Sequence, residues 1–161
     1  MQMRLSLAET RDIAFTDPYT IAIKPAKLHA YSGKIEGDYS NAAFLDVFNY
    51  LGGNVELIGL NEKRLQGDKI YKKYFELLNT SYQELDISNC IDLGPILFAF
   101  ASIKHGAKFT GTKRLKIKES DRILAVNAEI SKFGGKISDF GDFVVIGEQI
   151  LTETKNVLFG Q

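Results

Sequence analysis

The stretch that decides the fold spans residues 114–122 and reads Arg-Leu-Lys-Ile-Lys-Glu-Ser-Asp-Arg. If its first half is extended, successive side chains alternate between two faces, and Leu115 and Ile117 share one of them. The other face then carries a row of cations, namely Arg114, Lys116 and Lys118. We therefore predict a strand with one buried face and one cationic face.

From Ser120 onward the apolar period changes to that of an α-helix. One helical stripe collects Ile123, Val126, Ile130 and Phe133. Ser120 or Asp121 is expected to cap this helix, because a short side-chain oxygen can accept from unpaired N–H groups of the first turn. Arg122 then lies beside the positive helix end, where a cation is unfavourable by up to about 1 kcal/mol and an incoming anion is favoured. The stretch is therefore predicted to form a phosphate or carboxylate site.

The same residues also fit two ordinary structural roles. Alternating lysines protect an exposed strand edge from pairing with another chain. A run of mixed charges is equally typical of a solvated helix start. The physical pattern alone leaves the anion site and these two roles open.

The composition is that of a globular protein. Of the 161 residues, 45% are hydrophobic and 25% are charged, and 20 cations balance 20 anions. Because the formal net charge is zero, we expect no general binding to nucleic acid, and any anion site must be local. Cys90 is the single cysteine, so no intramolecular disulfide can form, and a buried structural role in a reducing, cytoplasmic setting is predicted.

Two further partner classes are not expected. No stretch approaches the roughly 20 apolar residues of a membrane span, and the N-terminus lacks an apolar signal-peptide core. His29 and His105 show no metal-ligand spacing, and the chain has no glycine-rich phosphate loop of the P-loop or Rossmann kind. We therefore predict neither a metal nor a cofactor.

The remaining pattern predicts short strands and amphipathic helices. Strands are expected at 12–15 and 19–24 as one hairpin, at 34–36, 54–60, 82–87 and 108–110, and at 136–138 and 143–147 as a second hairpin. The first helix should bury Ala43, Phe44, Val47, Phe48 and Leu51. A second helix follows Gly67-Asp68, and a third, starting at Pro95, is apolar nearly all round and should be deeply buried.

This order repeats along the chain. Three pairs of identical residues are separated by the same 53 positions: Gly53 and Gly106, Asp68 and Asp121, Ile70 and Ile123. A fixed period of this size indicates a structural repeat, here with the element order β-α-β-α-β-β. The joint between the two copies is expected at residues 79–83.

The nine-residue stretch resembles the signature of the 5-enolpyruvylshikimate-3-phosphate synthase family, whose third residue is more often Arg than Lys116. Three further segments match that family in its order and at about its spacing: residues 35–44, residues 66–68 and residues 91–95. The similarity covers residues 17–147. An ordered set of four motifs is much more specific than one motif.

The resemblance implies an α+β fold of repeated β-α-β-α-β-β units, of which this chain would hold about two of the family's six. Residues 1–80 would be the end of the family's first domain, and residues 81–161 one repeat unit of its second domain plus a tail. Members of the family are far longer, and several of their cationic segments have no counterpart here. We therefore expect a fragment of the enzyme.

The family transfers the enolpyruvyl group of phosphoenolpyruvate to the 5-hydroxyl of shikimate 3-phosphate and releases phosphate. By resemblance, Asp92 would take or hold the hydroxyl proton, and Lys118 would contact that hydroxyl and phosphoenolpyruvate. Glu119 would exchange the proton at the methylene carbon. The implied substrate-binding residues are Asn41, Phe44, Asp92, Lys118 and Arg122, with the Arg122 fork pairing with phosphoenolpyruvate.

The chain departs from the family at the pocket. Asn41 replaces a common Ser, and Phe44 lacks the hydroxyl of the Tyr found in some members. Without the resemblance, Asp92 would be a helix cap, Glu119 an exposed ion-pairing residue and Phe44 part of the core. We expect the isolated chain to lack turnover, and the surface left by missing segments to favour self-association.

Three other functions are compatible with the sequence. The first is an enolpyruvyl transferase acting on a nucleotide sugar, which would not be expected to carry Lys-Glu-Ser-Asp-Arg. The second is a non-catalytic repeat module that binds a nucleic acid or a protein. The third is one piece of an enolpyruvyl transferase split across chains.

Overall fold

The computed structural model describes residues 13–25, 35–63 and 66–147. The chain forms two compact units, Met1–Ile35 and Glu36–Gln161. In the first unit, β1 (Ile13–Asp17) and β2 (Thr20–Ile23) pair antiparallel, with Ala14 opposite Ala22. The Asp17 carboxylate closes the turn by accepting from the Tyr19 backbone N–H at 2.7 Å. The predicted hairpin is thus confirmed over the described residues; Asp12 lies outside them.

The second unit begins with helices and continues with alternating strands and helices. Its elements are α1 (Tyr39–Tyr50), α2 (Tyr71–Thr80), β3 (Gln83–Asp86), α3 (Gly94–Ile103), β4 (Ala107–Thr110), α4 (Arg122–Ser131), β5 (Ile137–Asp139) and β6 (Phe143–Ile146). Short 3₁₀ helices cover Gly67–Ile70, Ile91–Leu93 and Lys113–Ile117. From β3 onward the strands and α-helices follow the predicted order β-α-β-α-β-β.

The four strands of the second unit form one mixed sheet in the order β3-β4-β6-β5. β3 and β4 are parallel, with Leu85 opposite Phe109, and α3 makes the crossover between them. β6 pairs antiparallel with both β4 and β5, which confirms the predicted second hairpin. Along β4, Ala107 and Phe109 are buried and Lys108 is half-buried, so one sheet face turns to the core.

The core is centred on α3, as its apolar sequence predicts. Phe98 and Phe100 are fully buried, and Pro95 lies in the first turn. The Phe100 ring lies 4.8 Å from that of Phe75 on α2, and the Phe98 ring lies 5.0 Å from that of Phe109 on β4. Burial of each such ring stabilises the fold by about 1.5–3 kcal/mol. Through these ring contacts α3 joins the helices to the sheet.

The predicted buried face of α1 is wrong in part. Ala43 and Val47 are buried, but Phe44 and Phe48 are 44% and 54% exposed, and Leu51 is also exposed. The helix instead buries Tyr39 and Ala42 together with Ala43 and Val47. Asp46 accepts a hydrogen bond of 2.9 Å from the Tyr71 hydroxyl, which fixes this rotation of α1 against α2.

The predicted strand at residues 114–118 is also wrong. Residues Lys113–Ile117 form a 3₁₀ helix in which Leu115 is fully buried and Ile117 is 80% exposed. The Leu115 N–H donates to the Thr112 carbonyl at 2.8 Å. The Leu115 side chain packs directly against Gly94, since a Cβ added at Gly94 would lie 3.0 Å from Leu115 Cδ1. Packing against Gly94 therefore overrides the two-residue alternation, and the expected cationic face does not form.

The strand expected at residues 54–60 is also wrong, because that segment forms no strand. The Asn49 side chain forms hydrogen bonds with both backbone groups of Val55: it accepts from the N–H at 2.7 Å and donates to the carbonyl at 3.0 Å. The Gly59 carbonyl accepts from the Gly37 N–H at 2.9 Å. These loop contacts replace a ladder with another strand. The strand expected at 34–36 is not formed at residues 35 and 36, and Lys34 lies outside the described residues.

A pair of glycine substitutions tests the turn that leads out of β4. Gly111 and Gly141 both have positive φ, +73° and +93°, but a Cβ at Gly111 would lie 2.8 Å from the Ser88 backbone nitrogen, whereas one at Gly141 meets nothing within 4 Å. We expect Gly141→Ala to lower the free energy of unfolding by about 1 kcal/mol through left-handed strain. Gly111→Ala should lower it by about 3 kcal/mol, because overpacking adds to that strain. Urea unfolding measures both, and equal losses would contradict the close approach at Ser88.

Candidate active site

Asp92 is presented by the 3₁₀ helix that leads into α3. Ile91 and Leu93 on either side of it are buried, whereas the Asp92 side chain points outward and is 46% exposed. The Leu93 N–H donates to the Cys90 carbonyl at 3.0 Å and closes this turn. A carboxylate is thus held at the start of the most buried helix of the fold.

Two cations from the nine-residue stretch meet Asp92 at one carboxylate oxygen. The Arg122 Nη1 lies 2.8 Å from Asp92 Oδ1, and the Lys118 Nζ lies 3.3 Å from the same atom. Arg122 opens α4, whose first turn is capped by Asp121 accepting from Ile123 and Leu124 N–H at 3.0 and 3.1 Å. The predicted cap at Asp121 is confirmed, and Asp92 supplies the negative charge that Arg122 needs beside the positive helix end.

Glu119 completes the cluster from the solvent side. Its Oε2 lies 3.2 Å from Arg122 Nη2, and its side chain is 83% exposed. A hydrogen bond from its own backbone N–H, together with Arg122, lowers the pKa of Glu119 below its ordinary value. Glu119 is therefore a carboxylate at neutral pH in this state. To donate a proton it would need a neighbouring anion or the exclusion of water, either of which raises a carboxyl pKa.

The charges around Asp92 also fix its protonation state. Partial burial raises the pKa of Asp92, but hydrogen bonds and charges from Lys118 and Arg122 lower it by more, so the net shift is downward. Asp92 is ionised at neutral pH. While both cations are attached it is a weak base, and it becomes a stronger one when a ligand draws them away.

The two earlier motifs, residues 35–44 and 66–68, are joined to each other by hydrogen bonds of the Gln66 and Asp68 side chains. The Gln66 amide accepts from the Tyr39 N–H and donates to the Gly37 carbonyl and a Glu36 oxygen, each at 3.0 Å. The Asp68 carboxylate is hydrogen-bonded to the Ser40 hydroxyl. Partial burial raises the pKa of Asp68, and the charges of Asp92 and Lys118 also act on it. All four motifs therefore meet in one region.

Ser40, Gln66 and Asp68 were not among the predicted site residues. Their signal was their place inside matching motifs, since nothing in their spacing alone separates them from surface polar residues. Asn41 and Phe44, which were predicted to line the substrate pocket, both lie on the exposed side of α1. Within the described residues, no hydrogen bond joins Asn41 to the Asp92 cluster, and the pocket role of both residues stays a prediction.

Cys90 is buried, as predicted. Burial first, and then the charges of Asp68 and Asp86, raise the pKa of its thiol to about 12. The residue is a thiol at neutral pH and packs in the core rather than reacting.

Metal ligands and membrane spans were sought over the described residues. No group of three or more His, Cys, Asp or Glu side chains in these ranges is arranged to hold a metal ion. His29 lies outside them. Among the helices of the same ranges, none has both the length and the apolar character needed to cross a membrane.

Comparison with known proteins identifies the family. Residues 75–157 match the family model of EPSP synthase (3-phosphoshikimate 1-carboxyvinyltransferase). The chain belongs to this family. Curated relatives with that enzyme's name include those of Clostridium kluyveri, 34% identical over 129 residues, Clostridium novyi, 36% over 130, and Clostridium acetobutylicum, 34% over 128. Each alignment covers 70% of this chain and 30% of the relative, so the chain spans about 30% of the length of the curated relatives it matches.

Replacement of Asp92 tests the ion pairs at the site by their pH dependence. A carboxyl whose pKa is lower in the folded than in the unfolded state stabilises the fold above the unfolded value of about 3.9, and this stabilisation is lost as pH falls through the folded pKa. We expect Asp92→Asn to reduce the free energy of unfolding by about 0.5–1 kcal/mol at pH 7, since solvent screens this half-exposed group. The reduction should vanish as Asp92 becomes protonated in the wild type.

The control for this experiment is Asp142→Asn, at an exposed aspartate in the hairpin between β5 and β6. Urea unfolding of both variants and of the wild type, repeated from pH 7 down to pH 2.5, gives the profile. A loss for Asp92→Asn that is the same at every pH would contradict the proposed charge pairing.

Proposed function

We propose that this chain supplies part of the active site for enolpyruvyl transfer from phosphoenolpyruvate to the 5-hydroxyl of shikimate 3-phosphate, with release of phosphate. In the EPSP synthase family this reaction belongs to the shikimate pathway, which leads through chorismate to the aromatic amino acids. The observation that carries the proposal is the single cluster formed by Asp92, Lys118, Glu119 and Arg122. In this proposal residues 1–80 and 81–161 belong to different domains of the complete cytoplasmic enzyme.

Arg122 is the group suited to phosphoenolpyruvate. Its guanidinium presents a planar fork that can pair with a carboxylate or a phosphate through two parallel hydrogen bonds. In the described state Asp92 and Glu119 occupy the two terminal nitrogens. An incoming anion would take their place, and the exchange of one carboxylate for another keeps the charge of Arg122 compensated.

Asp92 and Lys118 are the groups suited to the acceptor hydroxyl. When the anionic substrate attracts Lys118 and Arg122, Asp92 loses the contacts that lower its pKa and becomes a stronger base for the hydroxyl proton. Lys118 remains close enough to contact both the hydroxyl and phosphoenolpyruvate. Glu119, on the open side of Arg122, would exchange the proton at the methylene carbon once the site excludes water.

The cluster cannot carry this reaction by itself, because its charges cancel. Lys118 and Arg122 contribute two positive charges, and Asp92 and Glu119 contribute two negative ones. The two substrates bring two phosphates and two carboxylates, which need additional cations. Since the chain spans about 30% of the length of its relatives, these cations would come from the rest of the fold. The isolated chain is expected to bind substrates weakly and to lack turnover.

Calorimetric titration of shikimate 3-phosphate, with and without phosphoenolpyruvate, tests the proposed site. We expect weak heat from the wild type that increases when phosphoenolpyruvate is present, and we expect this increase to be lost in Arg122→Ala, because phosphoenolpyruvate needs the guanidinium. Lys132→Ala is the matched control: Lys132 pairs with Glu129 three residues away, as Arg122 pairs with Glu119, but at the other end of α4. Equal heats for Arg122→Ala and the wild type would contradict the assignment.

A progress curve with both substrates tests the expected lack of turnover. The incomplete cation set should leave phosphate release at the rate of the buffer blank. Release at an ordinary enzyme rate of about 1–1000 per second would overturn this expectation.

One alternative is a single piece of an enolpyruvyl transferase split across chains. α1 supports it, because Phe44, Leu45 and Phe48 are about half exposed on its outer side. Such a surface would pack against the remainder of the fold or, in the isolated chain, against a second copy. Appearance of phosphate release on co-expression with the complementary part of a relative would establish it.

A further inference from the structure

We propose that the ion pair between Lys116 and Asp139 positions residues 118–120, the segment that carries Lys118 and Glu119 of the candidate site. Lys116 and Asp139 are positioning residues, because they hold the chain and touch no reacting atom. The part that Lys118 and Glu119 take in catalysis rests on the proposed function. The positioning itself concerns this chain alone and can be tested without a ligand.

Lys116 contacts the sheet in place of forming the predicted row of cations. Its Nζ lies 2.6 Å from Asp139 Oδ2, at the end of β5. The two side chains are only 33% and 28% exposed, so solvent and salt screen this pair less than a pair at the open surface. Lys116 therefore joins the 3₁₀ helix of Lys113–Ile117 to the sheet.

Asp139 is a firm anchor for this contact. Its second oxygen, Oδ1, accepts from the Gly141 N–H at 2.8 Å and so closes the turn between β5 and β6. In the ladder of these two strands Asp139 lies opposite Val144, which is fully buried. One carboxylate thus holds the turn with one oxygen and Lys116 with the other.

The ion pair of Lys116 is the last anchor before the site. Ile117, the next residue, is 80% exposed, so packing does little to fix its position. On the far side of residues 118–120, Asp121 caps α4 through its side chain. The segment that leads into the cluster is therefore held between two points, the ion pair of Lys116 and the cap at Asp121.

This short segment supplies two of the four groups of the cluster. Lys118 Nζ lies 3.3 Å from Asp92 Oδ1, and Glu119 Oε2 lies 3.2 Å from Arg122 Nη2. Partly exposed ion pairs of this kind are too weak to order a chain segment by themselves. Without the anchor at Lys116, the contact of Lys118 with Asp92 should be formed for a smaller fraction of the time.

The test measures the reactivity of Lys118 toward trace acetic anhydride at neutral pH in the full chain, without ligand. Mass spectrometry gives each acetylation rate relative to that of Lys132, at the other end of α4. An adjacent carboxylate favours the charged form of an amine, which does not react. Asp139→Asn removes the charge that holds Lys116 but keeps an oxygen for the Gly141 N–H. We expect it to raise the relative rate of Lys118 by about two- to fivefold.

A second variant separates positioning from long-range electrostatics. Asp139→Asn removes a negative charge, whereas Lys116→Gln removes a positive one. Acting through space alone, these two changes would alter the reactivity of Lys118 in opposite directions. Loss of the anchor raises it in both. Lys116→Arg keeps the charge and the ion pair, so it should leave Lys118 at the wild-type rate.

The matched control is Glu84→Gln. Glu84 lies 2.6 Å from Lys108, and this pair joins β3 to β4 in the same sheet. Its loss should raise the reactivity of Lys108 and leave that of Lys118 unchanged. The control therefore shows both that the reagent detects a broken ion pair and that the response of Lys118 is specific.

The outcomes decide the inference in either direction. A higher relative rate of Lys118 in both Asp139→Asn and Lys116→Gln, but not in Glu84→Gln, supports it. An unchanged relative rate, or opposite changes in the two variants, overturns it even if thermal stability has dropped. Because the labelling uses no ligand, a failed calorimetric titration of shikimate 3-phosphate would count against the proposed function alone.

Discussion

The candidate site depends on the burial of α3. This helix is apolar on nearly every side, so it must lie between α2, α4 and the sheet to remove its surface from water. The position of α3 also fixes the position of Asp92, which lies immediately before the first turn of that helix. The ends of neighbouring elements then arrive around Asp92 because their own apolar faces pack on the same helix. The hydrophobic effect thus positions charges that by themselves contribute little to stability.

The charges of the cluster compensate one another in the absence of a ligand. Each cation that could bind a substrate is paired with a carboxylate that could act on one, and both carboxylates have lowered pKa values. In the proposed reaction, anion binding would break these pairs and raise the basicity of Asp92.

The parts of the fold with strong local signals could be predicted from the sequence. The Asp121 cap, the all-apolar α3 and the hairpin of β5 and β6 each depend on neighbouring residues, and all three were found. The strand at 114–118 and the buried face of α1 were wrong because distant partners decide them. Leu115 packs against Gly94, and the Asp46 contact with Tyr71 sets the rotation of α1. Neither contact can be recognised from the hydrophobic periodicity of the sequence.

For the candidate site, the motifs identified Asp92, Lys118, Glu119 and Arg122, which lie together. They could not reveal the contacts of Asp92 with Lys118 and Arg122, because these ion pairs join residues that are far apart in the chain. The measurement that tests the central claim most directly is NMR mapping of the backbone amides during titration with shikimate 3-phosphate. A single convergent site should give shifts with one common affinity in residues 38–44, 66–68, 91–94 and 118–122. Shifts confined to one of these segments, or scattered over the surface, would contradict a single convergent site.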